Sequence, residues 1–355
     1  MQETLVIDAV KIFVPGAVAF FIGIALTPFL AHYLYKYQMW KKKSVSLTLD
    51  GQPATISGSL HRDEIKKTPR MGGIIIWGST LLTVIFFAVL SNFADGDVAR
   101  KLNFLSRNQT WLPLFTLIIG SLVGLVDDFL VVNNRGGYIG GGLPLKVRIG
   151  IVLLIGFVGA WWFYSKLGVT SIHIPFDGDL TLGYLFIPLF MIVMLAIFSG
   201  GVIDGIDGLS GGIMASIFMA YGGIAFFQNQ IDLAAFSVVV AGSILAFLWF
   251  NIPPARFYMS ETGMLGLTTS LTVVAFLTKA VVVLPIIALP LFLASGSDII
   301  QILSKKFRHG KKVFLVAPIH HHFEAIGWPA YKVTMRFWVI SVICAIIGMV
   351  IALIG

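Results

Sequence analysis

Three observations predict an all-α polytopic membrane protein with about ten transmembrane helices, both termini outside, a cytoplasmic-face active site and short β-hairpins in its loops. First, 57% of the 355 residues are hydrophobic and 12% are charged, against about 25% charged in a globular domain; the mean hydropathy is +0.91. Second, apolar runs of the length a bilayer demands recur along the whole chain. Third, Lys and Arg gather in alternate loops. A soluble core cannot absorb this much apolar sequence, because surface grows with volume. Residues 1–355 therefore read as a single integral membrane domain. Disordered, coiled-coil, collagen-like and disulfide-rich classes are excluded by the same composition. The lone cysteine, Cys344, lies in an apolar run, so it has no intramolecular disulfide partner.

The spans expected in order are 10–35, 72–93, 111–132, 146–167, 184–203, 209–228, 233–252, 262–282, 284–304 and 336–354. The first is too long for a signal peptide, and acidic Glu3 and Asp8 precede it where a basic region belongs. The eighth and ninth are divided only by the apolar stretch around Pro285. Between spans, Val45–Leu49 followed by Asp50-Gly51 reads as a hairpin, as does 170–182 with its Asp177-Gly178. Residues 133–142, rich in glycine, read as a flexible loop.

The net charge of +8 is distributed for a membrane, with no nucleic-acid partner expected. The loops after odd-numbered spans hold 19 Lys and Arg; the opposite side and the span ends hold 6. That asymmetry places the basic loops in the cytoplasm and both termini outside. The same charge favours anionic lipid headgroups and anionic substrates.

Acidic residues near a bilayer are expensive and mark function. Five of the 17 fall at the cytoplasmic ends of spans: Asp127, Asp128, Asp204, Asp207 and Glu261. Asp127 and Asp128 are adjacent on a helix, so they point about 100° apart. Asp204 and Asp207, three apart in Asp-Gly-Ile-Asp-Gly-Leu-Ser-Gly-Gly, would share one face of a helical turn. The glycines beside them admit a bulky anion, and the helix that follows offers N–H groups to phosphate. Carboxylates beside phosphate suggest Mg²⁺ between them. Asn251 and Glu261 flank a proline-broken turn and would project into the cytoplasmic mouth. The run His320-His321-His322 lacks the ligand spacing of structural zinc sites, and hydrogen bonding to a phosphate or base suits it better.

These segments together resemble the polyprenyl-phosphate N-acetylhexosamine-1-phosphate transferases and, within them, the phospho-N-acetylmuramoyl-pentapeptide transferase (MraY) family. The resemblance runs from about Lys66 to the C-terminus, on Thr68-Pro-Arg-Met-Gly-Gly-Ile, Gly124-Leu-Val-Asp-Asp-Phe, Asp204-Gly-Ile-Asp-Gly-Leu and Ala317-Pro-Ile-His-His-His-Phe-Glu. The triple histidine separates the muramoyl enzymes from relatives acting on simpler sugars. Three positions depart from the family pattern. Gly201 stands where Asn is usual, Arg70 where Thr is common, and Met259-Ser-Glu-Thr-Gly where Met-Gly-Asp-x-Gly is usual, so Glu261 replaces an aspartate.

The resemblance implies a bacterial inner-membrane enzyme in which undecaprenyl phosphate attacks the β-phosphorus of UDP-N-acetylmuramoyl-pentapeptide, releasing UMP and forming lipid I. It implies Mg²⁺ on Glu261 with Asp204, and Asp127 or Asp128, Asp204 and His321 as catalytic groups. Lys66, Thr68, Lys146, Asp207, Asn251, His320 and His322 are the expected substrate contacts, and a homodimer is compatible with the pattern. A sister enzyme that transfers N-acetylglucosamine-1-phosphate is the nearer alternative. A secondary transporter is the more distant one, although transporters place their charges at the bilayer midplane and these acids lie at one edge.

Overall fold

The computed structural model describes residues 2–42, 67–93, 102–104, 108–135 and 141–355. Four helices come first: α1 (Gln2–Lys36), α2 (Ile74–Phe93), α3 (Asn108–Asn133) and α4 (Leu145–Lys166). An antiparallel hairpin follows, β1 (Ser171–Ile174) with β2 (Gly178–Thr181), where Ser171 faces Thr181 and Ile174 faces Gly178. This is the hairpin that the Asp177-Gly178 signal predicts. The rest is helical: α5 (Phe186–Ser199), α6 (Leu209–Phe227), α7 (Ile231–Asn251), α8 (Ser260–Leu277), the short α9 (Leu284–Ile287), α10 (Leu289–Phe307), the short α11 (Ile319–Ala325) and α12 (Ala330–Ile354). The hairpin expected at Val45–Gly51, Lys66, and residues 136–140 of the glycine-rich loop lie outside the described residues.

Among the described residues, eight helices are long and apolar enough to cross a membrane. They are α1 to α4, α5 with its flanking 3-10 turns, α6, α7 and α12. The two other expected spans are present as helices, α8 and the α9–α10 pair, but are less apolar. For α8 the reason is position. Every residue from Thr262 to Phe276 is buried among neighbouring helices, so it needs no lipid-compatible surface. Its hydroxyls bond back to their own helix, as from Thr268 Oγ1 to Met264 O at 2.8 Å, or across to α3. Thr269 Oγ1 reaches Thr116 O at 3.0 Å and Ser270 Oγ reaches Pro113 O at 2.9 Å. Small and hydroxylated residues at a helix interface are how membrane helices approach closely. Near Pro285 the chain breaks at Ala288, and Pro290 opens α10, which ends in Lys305 and Lys306.

The same logic sorts the helices into inner and outer sets. In α7, 83% of the most apolar window is buried, against 22% in α12. α7 is therefore central, while α12 and α1 turn Val339, Ile343, Phe21 and Phe29 outward. A second aromatic core ties α4, α5 and α8 together through Phe163, Phe190 and Phe276, with the last two rings stacked at 4.4 Å.

Candidate active site

The segment before α2, the end of α3, the start of α8 and the loop before α6 meet at one end of the bundle. Main-chain bonds clamp the first of these to the residues preceding α8. Gly72 N donates to Tyr258 O at 2.8 Å, Gly73 N to Met259 O at 3.2 Å, and Tyr258 N to Pro69 O at 2.8 Å. Glycine permits the rest of the contact. A Cβ on Gly124 of α3 would overlap the Glu261 carbonyl group. With no Cβ there, α3 lies against the first turn of α8, and Asp128 comes to the N-terminus of that helix.

Asp128 is fully buried and saturated. Its Oδ1 accepts from Arg70 Nε at 2.9 Å; its Oδ2 accepts from Thr262 N at 3.0 Å and Thr262 Oγ1 at 2.6 Å. A carboxylate at a helix N-terminus with charge-assisted bonds is a strong arrangement. Asp127 turns elsewhere, as adjacent helical residues must, and accepts from Leu143 N at 2.6 Å. Glu261 pairs with Arg148 Nη1 of α4 at 2.5 Å. Asp204 accepts from Ser210 Oγ at 2.6 Å and from Ser260 N at 2.8 Å. Arg70 lies within electrostatic reach of Asp128, Glu261 and Asp204, and Arg148 within reach of Asp127 and Glu261. Four of the five acids thus share one charged neighbourhood.

Asp204 and Asp207 do not share a helical face, contrary to the spacing argument. The backbone leaves the helix at Asp204 (ψ 61°) and reaches the left-handed region at Gly208 (φ 76°). Asp207 accordingly faces another partner, accepting from Ala255 N at 3.0 Å. Asn251 is buried rather than projecting into the mouth. Its Oδ1 accepts from Gly208 N at 2.9 Å and its Nδ2 donates to Phe257 O at 2.9 Å, which pins the loop before α6 to the loop before α8. One of the N–H groups expected to be open to phosphate is therefore already used. At Gly201, the nearest atom to an added Cβ is Met264 Cβ at 3.8 Å; there is room for a side chain, so space does not explain that departure.

The histidines sit beside this loop. A Cβ on Gly205 would lie 2.6 Å from His321 Nε2 and 2.7 Å from His320 Nε2, so glycine there lets both rings close on the backbone. His321 Nδ1 meets Glu324 Oε2 at 2.6 Å, while His322 Nδ1 turns away to accept from Leu315 N at 3.2 Å. His320 is fully buried, and among the described residues neither of its ring nitrogens has a hydrogen-bond partner. Thr68 is buried beside Pro69 and Lys146 is exposed at the start of α4.

Burial dominates the electrostatics outside the membrane helices. It pushes the Asp204 carboxyl above the usual range, against bonds from Ser210 and Ser260 and the charge of Arg70. Burial, then neighbouring His321, holds the His320 imidazole well below its ordinary value, so it is neutral at pH 7. Burial also opposes the charge of Arg70, but Asp128, with Glu261 and Asp204, more than offsets it. Lys41 is lowered by burial and by Arg70.

Sequence reasoning missed Arg148, Thr262 and Ser210, and took Arg70 only as a departure. One signal was present for Arg148. The first turn of α4 holds Lys146 and Arg148 and no acid, the wrong sign for a helix N-terminus, which asks for a carboxylate partner.

The Mg²⁺ expectation fits the donor chemistry but not the arrangement. Carboxylate oxygens are the right ligands for a hard ion. Among the described residues, however, no three acidic, histidine or cysteine side chains are placed to hold a metal. Guanidinium groups stand beside Asp128 and Glu261 instead.

Carboxylates paired with arginines thus converge at one end of a bundle of apolar helices, and comparison with known proteins gives the class: a membrane transferase. Residues 110–279 match the profile of Glycosyl transferase family 4. The chain is 33% identical over 345 residues to the phospho-N-acetylmuramoyl-pentapeptide-transferase of Anoxybacillus flavithermus, covering 96% of this chain and 97% of that protein. It is 34% identical over 334 residues to that of a Geobacillus species (93% and 94%), and 32% over 336 residues to that of Listeria innocua (94% and 95%). The chain belongs to the phospho-N-acetylmuramoyl-pentapeptide-transferase family, and is a multi-pass enzyme of the bacterial inner membrane.

Proposed function

We propose that the mouth built by Asp127, Asp128, Asp204 and Glu261 is the site at which this enzyme transfers phospho-N-acetylmuramoyl-pentapeptide to a lipid carrier, the reaction that yields lipid I in peptidoglycan synthesis. The observation that carries the reading is the convergence of the paired aspartates, the loop aspartate and Glu261 around two arginines. Phosphoryl transfer asks for positioning and charge neutralisation more than covalent chemistry.

A lipid phosphate oxygen forms a bond to the β-phosphorus of the UDP-activated sugar, and the bond to the UMP leaving group breaks. Undecaprenyl phosphate is the proposed acceptor and UDP-N-acetylmuramoyl-pentapeptide the proposed donor. Asp127, whose second oxygen is not committed to Leu143, is better placed than saturated Asp128 to meet or deprotonate the incoming lipid phosphate. Asp128 holds Arg70 and the start of α8 in register. His321, packed with His320 on Gly205 and paired with Glu324, is the proposed contact to phosphate or base. Lys66, Thr68 and Lys146 supply further donor contacts, and Asp207, Asn251 and His322 hold the surrounding loops. The magnesium expected of the family would supply charge neutralisation when bound, although its expected protein ligands, Glu261 and Asp204, are engaged by Arg148, Ser210 and Ser260 in this structure.

The finer topology belongs to the same reading. α8 and the α9–α10 pair complete ten spans, both termini lie outside, and the mouth opens to the cytoplasm. The experiment is steady-state transfer by Asp127→Asn and Asp128→Asn against lipid phosphate concentration. Both variants should lose turnover by orders of magnitude while inserting normally. Near-parent rates in both would remove the pair from the chemistry.

A further inference from the structure

We propose that Arg70 is a resident cation of the carboxylate cluster, so that without substrate the enzyme holds its acids together by guanidinium and has no tight site for a free divalent ion. The inference rests on the reading of this mouth as the catalytic site, and its test is run without substrate, so that either can fail alone.

Asp127, Asp128, Asp204 and Glu261 share one neighbourhood at the edge of a bilayer, where uncompensated carboxylates repel and are costly to desolvate. A divalent ion is one way to hold them. This chain shows another. Arg70 Nε bonds Asp128 Oδ1 at 2.9 Å with Glu261 and Asp204 in reach, and Arg148 Nη1 bonds Glu261 Oε1 at 2.5 Å.

Of the remaining oxygens, those of Asp128 and Asp204 are also engaged. Asp128 Oδ2 takes two bonds from Thr262, and both oxygens of Asp204 have donors in Ser210 and Ser260. An arriving Mg²⁺ would have to displace these donors and approach a fixed positive charge, and magnesium tolerates poor octahedral geometry badly. Arg70 is held in place by its backbone as well. Its N–H donates to Met39 O at 2.7 Å, and the next residue, Met71, sits at φ 69°. Two of the positions where this chain leaves its family, Arg70 and Glu261, therefore belong to one charge arrangement: Arg70 bonds Asp128 within electrostatic reach of Glu261, and Arg148 bonds Glu261. The longer acid reaches Arg148; the arginine takes the place of a neutral side chain.

Mn²⁺ is the probe, followed by electron paramagnetic resonance on purified detergent-solubilised protein with no nucleotide or lipid phosphate. The parent should bind Mn²⁺ weakly. Arg70→Thr should tighten the apparent affinity by about tenfold or more, because a unit positive charge has left the cluster. Arg70→Lys, which keeps that charge, should stay near the parent. The double variant Arg70→Thr/Glu261→Gln should lose the gain. A parent that binds Mn²⁺ as tightly as Arg70→Thr overturns the proposal, as does Arg70→Lys gaining as much as Arg70→Thr. Should Arg70→Thr fail to fold, Arg148→Gln decides: a gain of similar size upholds the proposal and no gain overturns it.

Discussion

Ser260 occupies left-handed backbone, φ 58°, and its buried hydroxyl has no partner among the described residues. An L side chain in that region costs about 1–2 kcal/mol, and glycine is usual at this position in the related family. Ser260→Gly keeps the N–H that Asp204 accepts and should raise the melting midpoint in detergent, by about 1 kcal/mol of stability once glycine's chain entropy is charged against it. An unchanged or lower midpoint would show that the strain is relieved in some other way. His320 gives a pH signature at the same scale. Its folded imidazole titrates well below the ordinary 6.5, so below that pH the unfolded chain takes up a proton that the folded chain refuses. Stability from this group is complete above 6.5 and is lost as pH falls toward the folded value. The melting midpoint should fall between pH 7.5 and 5.5, and His320→Phe should fall less; equal slopes would contradict the assignment. The divergence of Asp127 from Asp128 was legible in the sequence because helical geometry fixes it. The arginine partners were not, since Arg70 reaches Asp128 across 58 positions and Arg148 reaches Glu261 across 113. No local spacing encodes such contacts.

At the scale of the element, the contact between α3 and α8 sets the site. Gly124 faces the Glu261 carbonyl and Gly120 faces Thr269 Oγ1, which a Cβ would approach to 2.6 Å. Gly124→Ala must push the helices apart, and overpacking of this kind costs about 1–3 kcal/mol. The same displacement separates Asp128 from Thr262, so transfer should fall further than stability alone explains. A variant that melts lower yet keeps its turnover would detach the chemistry from this contact. Eight apolar helices were visible as long hydropathic runs, and the hairpin at Ser171–Thr181 as alternation around Asp177-Gly178. α8 is a helix where a span was expected, but its environment was not visible, because serine and threonine look polar until their bonds to α3 and to their own turns are seen. The loop at Asp204 misled for a related reason. Spacing of three implies one helical face only where the chain is helical, and here the backbone leaves the helix at Asp204 and turns left-handed at Gly208.

The molecule as a whole sorts its charges by side. The topology proposed from the 19-to-6 distribution of Lys and Arg has the α10–α11 loop in the cytoplasm with the mouth, and the β-hairpin outside. In a Cys344→Ser background, a cysteine at Lys311 should resist an impermeant thiol reagent in intact cells, and one at Asp177 should react. Reaction at 311 from outside would invert the enzyme and strand its site away from the cytoplasm. The central claim is the identity of the reaction, and product analysis tests it most directly. Purified protein would be incubated with Mg²⁺, undecaprenyl phosphate and either UDP-N-acetylmuramoyl-pentapeptide or UDP-N-acetylglucosamine, and the lipid product and released nucleotide identified by mass. The account predicts UMP and lipid I from the muramoyl donor, with no comparable product from the other. A lipid-linked N-acetylglucosamine product, with none from the muramoyl donor, would contradict it.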